Sequence, residues 1–521
     1  MPQLALNLQK WCCTFSLTRV EILDNQQRLV IVSNRLPIVV QREQEKLHFS
    51  PGSGGLVTAM APVLRDRGGM WIGWPGSADV TREEVINYSN RAKTEIGYDL
   101  EPVHLTQEEV NQFYYGFSNE IIWPLFHDLQ FQCRFKPRYW DAYRQVNRKF
   151  ANTVQQLTSS NDFIWIHDYQ LMTCGQELRE RGCTSPLAFF LHIPFPPIDI
   201  FVKLPWRFQI LRALLEYDVI GFQTQHDRHN FVQCMRTLLP DVNLSSTRSL
   251  HTFSSGNRTT RVGAFPISID SQAFSNHADA DEVQRLSQQI KCQFEHQQIV
   301  FSVDRLDYTK GIPYRLKAIQ TLLKNHPEWH QKVSFIQVVV PSRRDIPHYH
   351  NLNVEIDRLV GKINSQYTQS GWVPIHYMFR PLNRQELLAH YHASDIALVT
   401  PIKDGMNLVA KEYIASNTHY RGTLILSEFA GAAAQLHNDA LLINPYDIEG
   451  VSETLDVALK MPTEERMQRM KQMRRTVKRQ DIFWWVHSFL NASIHKKLLD
   501  FPVVQDYIPS EQPPTPEMAV I

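Results

Sequence analysis

The stretch VTPIKDGMNLVAKEYIAS, residues 399–416, decides the fold. An apolar lead, Ile396 to Thr400, breaks into a short polar loop with one glycine, and a helix-like run follows. A strand that ends in a loop and re-enters a helix is the junction of a parallel α/β sheet. Such sheets bind ligands outside the carboxyl ends of their strands. The first turn of the helix exposes unpaired N–H groups and the positive end of the helix dipole, which attract an anion such as phosphate. Gly405 admits close backbone approach or a positive φ. Asp404 is suited to accept from sugar hydroxyls. Glu412 comes about two helical turns later, on the side of Asp404. The plainer reading is an ordinary helix cap at Asp404 or Asn407 beside a solvated Lys403. The stretch alone leaves both open.

The same junction recurs along the chain. Apolar, β-branched runs alternate with amphipathic ones, the α/β signature. RLVIVSNRLPIVV (28–40), DFIWIHDY (162–169), LAFFLHIPFP (187–196) and YDVIGFQT (217–224) read as strands running into loops. After a linker near 262–270 a second series begins: QQIVFSVDRLDYTKG (297–311), KVSFIQVVVPSRRD (332–345), VPIHYMFRP (373–381), DIALVTPIKDG (395–405), GTLILSEFAG (422–431) and ALLINPYD (440–447). The expected architecture is two doubly wound α/β domains with a ligand cleft between them.

Charged or imidazole groups stand where these strands end: Arg35, Asp168, His192, Arg305 with Lys310, Arg343 with Arg344, and Asp404. Each has a bland alternative, such as a core histidine at His192, or surface ion pairs of Arg305 and Lys310 with Asp304 and Asp307. Six junctions presenting such groups to one edge form a pattern. The glycine loop SPGSGGL (50–56) before a helix-like run suits close ligand approach, although it matches neither common phosphate-loop signature. Asp279-x-Asp281 lies in a polar linker and His348-x-His350 lacks a third ligand, so no metal is expected.

The chain has 521 residues and a net charge of +1. That length accommodates several domains. Near-neutral charge without basic or acidic blocks argues against nucleic acid and membrane surfaces. Seven scattered cysteines without a C-x-x-C pair fit a reduced, cytoplasmic setting. The apolar run in residues 1–27 is short and broken by Lys10, and reads as an extension rather than a signal peptide. No stretch is apolar for long enough to span a membrane.

VSNRLP, SGGL, GFSNEIIWPLFH, WIHDYQLM, FFLHIPFP, YDVIGFQT, DRLDYTKG, PSRRD, DGMNLVAKEY and FAGAA together resemble glycosyltransferase family 20, the trehalose-6-phosphate synthases, over roughly residues 28–500. The resemblance implies a GT-B fold, two Rossmann-like domains across a deep cleft, and transfer of glucose from a nucleotide sugar, typically UDP-glucose, to glucose 6-phosphate. It implies retention of configuration, no metal and no cofactor. The acceptor-binding domain would span 28–266 and the nucleotide-sugar domain 267–480. A C-terminal helix at 481–500 would pack back toward the first domain, and 501–521 would be a disordered tail.

Residue by residue, the resemblance implies acceptor contacts from Arg35, Tyr114, Trp123, Asp168 and Arg343, chiefly around the phosphate. Gly54 and Gly55 would lie in a mobile loop near the donor. Asp168 and His192 would bind sugar hydroxyls near the reacting centre, and Arg305 and Lys310 would hold the donor diphosphate. Asp404 would touch the transferred glucose, with the backbone N–H groups of Gly405, Met406, Asn407, Leu408 and Val409 beside it, and Glu412 would bind the ribose. The partners implied are small-molecule substrates, with homo-oligomerisation left open. Rival readings are a glucosylglycerol-phosphate synthase, a pseudoglycosyltransferase, and a catalytically silent regulatory protein on the same fold. The last would lack Arg305, Lys310, Asp404 or Glu412, and all four are present.

Overall fold

A computed structural model describes residues 27–494, apart from 44–45, 53–54, 247–249 and 343–346, together with 501–509. Two sheets carry the chain. The first orders its strands Asp99–Pro102, Gly69–Trp74, Leu29–Arg35, Phe163–His167, Leu187–Phe190, Val219–Phe222 and Arg258–Ala264, all parallel, and ends in an antiparallel extension of His251–Ser255 and Asn243–Ser246. The second is fully parallel: Ile375–Met378, Val333–Val340, Gln298–Arg305, Ile396–Val399, Thr423–Ser427 and Leu441–Ile443. Runs such as Leu29–Asn34 and Val333–Val339 are buried at every position, because helices cover both faces of a parallel sheet and no polar alternation is needed.

In both sheets the strand order reverses beside the first strand. The switch point of the first sheet lies between Leu29–Arg35 and Phe163–His167, that of the second between Gln298–Arg305 and Ile396–Val399. A ligand crevice forms outside the strand ends at such a point. Arg35 and Asp168 stand at one; Arg305 and the loop leading to Asp404 stand at the other.

The first sheet closes with Ala264, and the helix Ser271–Ala278 already packs on the helix Leu408–Ser416 of the second. The helix Ile482–Ile494 returns to the first sheet. Trp485 and Phe489 lie 5.2 and 4.2 Å from the Trp165 ring, and Arg261 donates to the Ala492 carbonyl at 2.7 Å. The tail expected to be disordered from residue 501 has its first nine residues among those described, and there Phe501 and Val504 are buried, with Phe501 5.8 Å from the Phe265 ring. The extension 1–26 and residues 510–521 lie outside the described residues.

Candidate functional site

At the first switch point Arg35 ends its strand with its guanidinium carbon 4.2 Å from the Trp74 ring centre and 5.5 Å from that of Tyr114. A flat cation over aromatic faces is held by cation–π attraction without losing its hydrogen-bonding edge. Gly76 floors this cradle: its φ is +100°, and a Cβ there would stand 1.7 Å from Arg35 Nη1. Tyr114 sits on Val110–Ile122, thirteen residues wound as a π-helix, a form that frequently marks functional sites. Trp123 follows at the end of that helix, 4.4 Å from the His127 ring and 5.7 Å from the Tyr169 ring.

Asp168 adopts φ +77° directly after its strand, and its Oδ1 accepts from the His192 N–H at 3.2 Å. With ψ at 167° this is a positive-φ, extended-ψ backbone that is nearly confined to glycine, and such strained residues cluster at functional positions. The His192 ring faces protein groups at both nitrogens: Nε2 is 3.1 Å from His167 Nδ1 and Nδ1 is 3.4 Å from Gln223 Nε2. Burial pushes the ring down to about 3, so it is neutral at ordinary pH. The ring therefore offers no spare in-plane bond to a hydroxyl in this state, although the sequence suggested sugar contacts there. Its carbonyl oxygen lies against Gly405, where a Cβ would come within 2.2 Å of it.

The second switch point supplies the cations. Arg305 ends its strand with its guanidinium carbon 6.0 Å from the Trp123 ring centre, reaching across to the first domain. Lys310 Nζ donates to Asp404 Oδ2 at 2.5 Å, not to Asp304 or Asp307. Those two carboxylates are occupied elsewhere. Asp304 pairs with the fully buried Arg315 at 2.7 Å, and Asp307 caps Thr309. Arg315 also donates to Thr400 Oγ1 and Gln337 Oε1, both at 2.9 Å, and so ties together three neighbouring strands of the second sheet. Burial by itself would raise Asp404. The Lys310 ammonium outweighs it, with help from His127 and Arg305, and holds the carboxyl below its ordinary range.

The loop after Val399 corrects two expectations. The helix begins at Leu408, and its cap is Asn407, at φ +72°, whose Oδ1 accepts from the Ala410 N–H. Asp404 therefore precedes the helix, and the two-turn spacing that placed Glu412 beside it does not apply. Glu412 instead accepts from the Tyr391 hydroxyl at 2.9 Å. Burial pushes its carboxyl up, against Tyr391 and Arg384. The left-handed residue of the loop is Asn407, while Gly405 is required by its closeness to the His192 carbonyl. Asn407 Nδ2 also donates to Asp404 Oδ2 at 3.1 Å. Lys403, solvated in the plainer of the two readings, pairs with Asp128 of the first domain, which sits at φ +61°. An aspartate after WPLFH carries no sequence signal for a partner so distant.

The described residues thus bring together Arg35, Tyr114 and Trp123 on one side, Arg305, Lys310 and Asp404 on the other, with Asp168 and His192 between. Gly55 opens the helix Gly55–Arg67, whereas Gly54 and Arg343 lie outside the described residues. Sequence reasoning missed His167, Gln223, Arg315 and Tyr391, which hold the site residues; a buried polar residue within a strand or helix was the only signal available. Among the described residues His326, Glu328 and Asp456 converge closely enough to suit a cation. That space already holds Lys460 Nζ, 2.7 Å from Asp456, and the Trp329 indole N–H, 2.8 Å from it. No helix among the described residues is long and apolar enough to cross a membrane.

The family model for glycosyltransferase family 20 matches residues 27–494. The trehalose-6-phosphate synthase of Mycobacterium ulcerans is 40% identical over 469 residues, covering 89% of this chain and 93% of the relative. Among solved structures, an α,α-trehalose-phosphate synthase (UDP-forming) from Burkholderia xenovorans, in complex with glucose-6-phosphate, superposes with a TM-score of 0.80 at 31% identity, covering 89% of this chain and 99% of that one. An E. coli structure bound with UDP-2-fluoro glucose gives a TM-score of 0.80 at 35% identity, covering 90% and 99%. Two switch-point crevices facing one another, with phosphate-type cations on both sides, agree with these likenesses: the chain belongs to glycosyltransferase family 20 and is a hexosyltransferase of GT-B fold.

Proposed function

We propose that the protein transfers glucose from UDP-glucose to glucose 6-phosphate with retention, giving α,α-trehalose 6-phosphate. The observation that carries this reading is the Lys310–Asp404 pair at the mouth of the helix Leu408–Ser416. One carboxylate for a sugar hydroxyl, one ammonium for a diphosphate and a helix N-terminus beside them match the two halves of a nucleotide sugar. On the opposite side, Arg35 in its aromatic cradle suits a phosphate dianion on the acceptor. The likeness to the Burkholderia structure with glucose-6-phosphate and to the E. coli structure with UDP-2-fluoro glucose supports both assignments.

Cleavage of the C1–oxygen bond leaves an oxocarbenium-like sugar and a departing diphosphate. Arg305, Lys310 and the helix N-terminus stabilise the negative charge that develops on the leaving group, which is electrostatic catalysis. The acceptor hydroxyl attacks from the same face, and the departing phosphate oxygen takes its proton. Asp404 holds a sugar hydroxyl, Glu412 the ribose, and Arg343 joins Arg35 at the acceptor phosphate. Purified protein incubated with glucose 6-phosphate and, separately, UDP-, GDP- and ADP-glucose tests the reading. Trehalose after dephosphorylation, identified by trehalase digestion, is expected with UDP-glucose. Nucleotide release only with glycerol 3-phosphate in place of glucose 6-phosphate would refute it.

A further inference from the structure

The surroundings of His192 determine where its proton sits. The Ile267 N–H donates to Gln223 Oε1 at 2.9 Å, which orients that amide. Its NH2 group must then point at His192 Nδ1. An NH2 group only donates, so Nδ1 accepts and carries no proton. A neutral imidazole has one proton, which is therefore on Nε2 and donates to His167 Nδ1. A doubly protonated ring would set a second N–H against the amide NH2, so hydrogen bonding and burial oppose the charged form together. We propose that Gln223 and His167 are positioning residues that hold His192 as a neutral ring with its proton on Nε2.

This inference rests on the reading that His192 lines the reacting centre. Positive charge develops on the sugar there, and an imidazolium beside it would oppose the reaction; a neutral ring does not. The chain also reaches the interdomain linker. Ile267 gives its N–H to Gln223 of the first domain and receives the Lys411 ammonium of the second on its carbonyl, at 2.7 Å. The ring is thereby tied to the segment about which the two domains meet.

Ring-nitrogen spectra of 15N-histidine-labelled protein, with His192 assigned from the His192→Ala variant, show which nitrogen carries the proton; Nε2 is expected. Gln223→Glu keeps the bond from Ile267 and nearly the same volume, but turns the donor facing Nδ1 into an acceptor. A proton should then appear on Nδ1. kcat should fall by about ten- to a hundred-fold, as when the outer partner of a metal-bound histidine is lost, with both KM values and the melting temperature near native. His167→Asn, whose Oδ1 can accept, should retain more turnover than His167→Phe. A proton on Nδ1 in the native protein, or native kcat in Gln223→Glu, would overturn the proposal. Native turnover in His192→Ala would instead remove the reading of the reacting centre, while the ring spectra still decide the tautomer.

Discussion

Substitution Gly405→Ala tests how tightly the two domains meet at the site. A Cβ at Gly405 would stand 2.2 Å from the His192 carbonyl oxygen, 3.1 Å from its carbon and 3.2 Å from Ile193 Cα. Real Cβ contacts do not fall below 3.0 Å, so the loop must retreat by about 0.8 Å, and the atoms in its way are backbone that cannot swing aside. The displaced segment carries Asp404 and leads into the capped helix. A misplacement of roughly 1 Å costs about a hundred-fold in rate, or about 2.7 kcal/mol in the activation barrier. We therefore expect kcat/KM to fall about a hundred-fold in steady-state nucleotide-release assays, while far-ultraviolet dichroism is unchanged. A variant within two-fold of native kcat/KM would refute the claim that this contact fixes the site.

Lys310→Ala leaves the Asp404 carboxylate buried without its cation and should destabilise the fold by about 3 kcal/mol at neutral pH, read by urea titration. Because the folded carboxyl lies below its ordinary value of 3.8, the native pair contributes above that pH and loses its contribution as pH falls through the folded value. The gap between native and variant must therefore narrow on acidification; a constant gap would count against the pair. In Gly76→Ala the new methyl stands where Arg35 Nη1 lies, at a backbone φ of +100°. The KM for glucose 6-phosphate should rise about ten-fold or more with the donor KM unchanged, as for loss of a charge-assisted contact, and a rise confined to the donor would reassign Arg35. Burial pushes the Lys411 amine down to about 7. Folding is then penalised most below that pH, and stability gains from deprotonation as pH rises from 7 toward the ordinary 10.5. Lys411→Met should lose this slope of about 1.4 kcal/mol per pH unit, measured by denaturant titration across that window.

The strand positions were legible because buried parallel strands are continuous apolar runs. Every strand expected in the second domain is found, from Gln298–Arg305 to Leu441–Ile443. Less legible were the π-helix Val110–Ile122, whose apolar residues look the same at 3.6 or 4.4 residues per turn, and the hairpin Ile38–Glu43 with Lys46–Pro51. Charged residues at strand ends were readable because nothing else in an apolar run calls for them. Their partners were not. Lys310 reaches Asp404 over 94 positions because their two strands lie side by side in one sheet, and Lys403 reaches Asp128 over 275 because the two domains face each other; neither separation follows from local pattern. The Asn407 cap shows the converse limit: Asp404 and Asn407 are equally good caps by residue type, and only the backbone at φ +72° decides between them.

The proposed reaction joins a nucleotide-bound glucose to a sugar phosphate with retention across these two crevices. Carbon NMR of a reaction containing UDP-glucose labelled at C1 and glucose 6-phosphate tests it most directly. The label is expected to move into an α,α-linked disaccharide phosphate as UDP is released. A β-linked label, or UDP release with the label appearing only as free glucose, would contradict it.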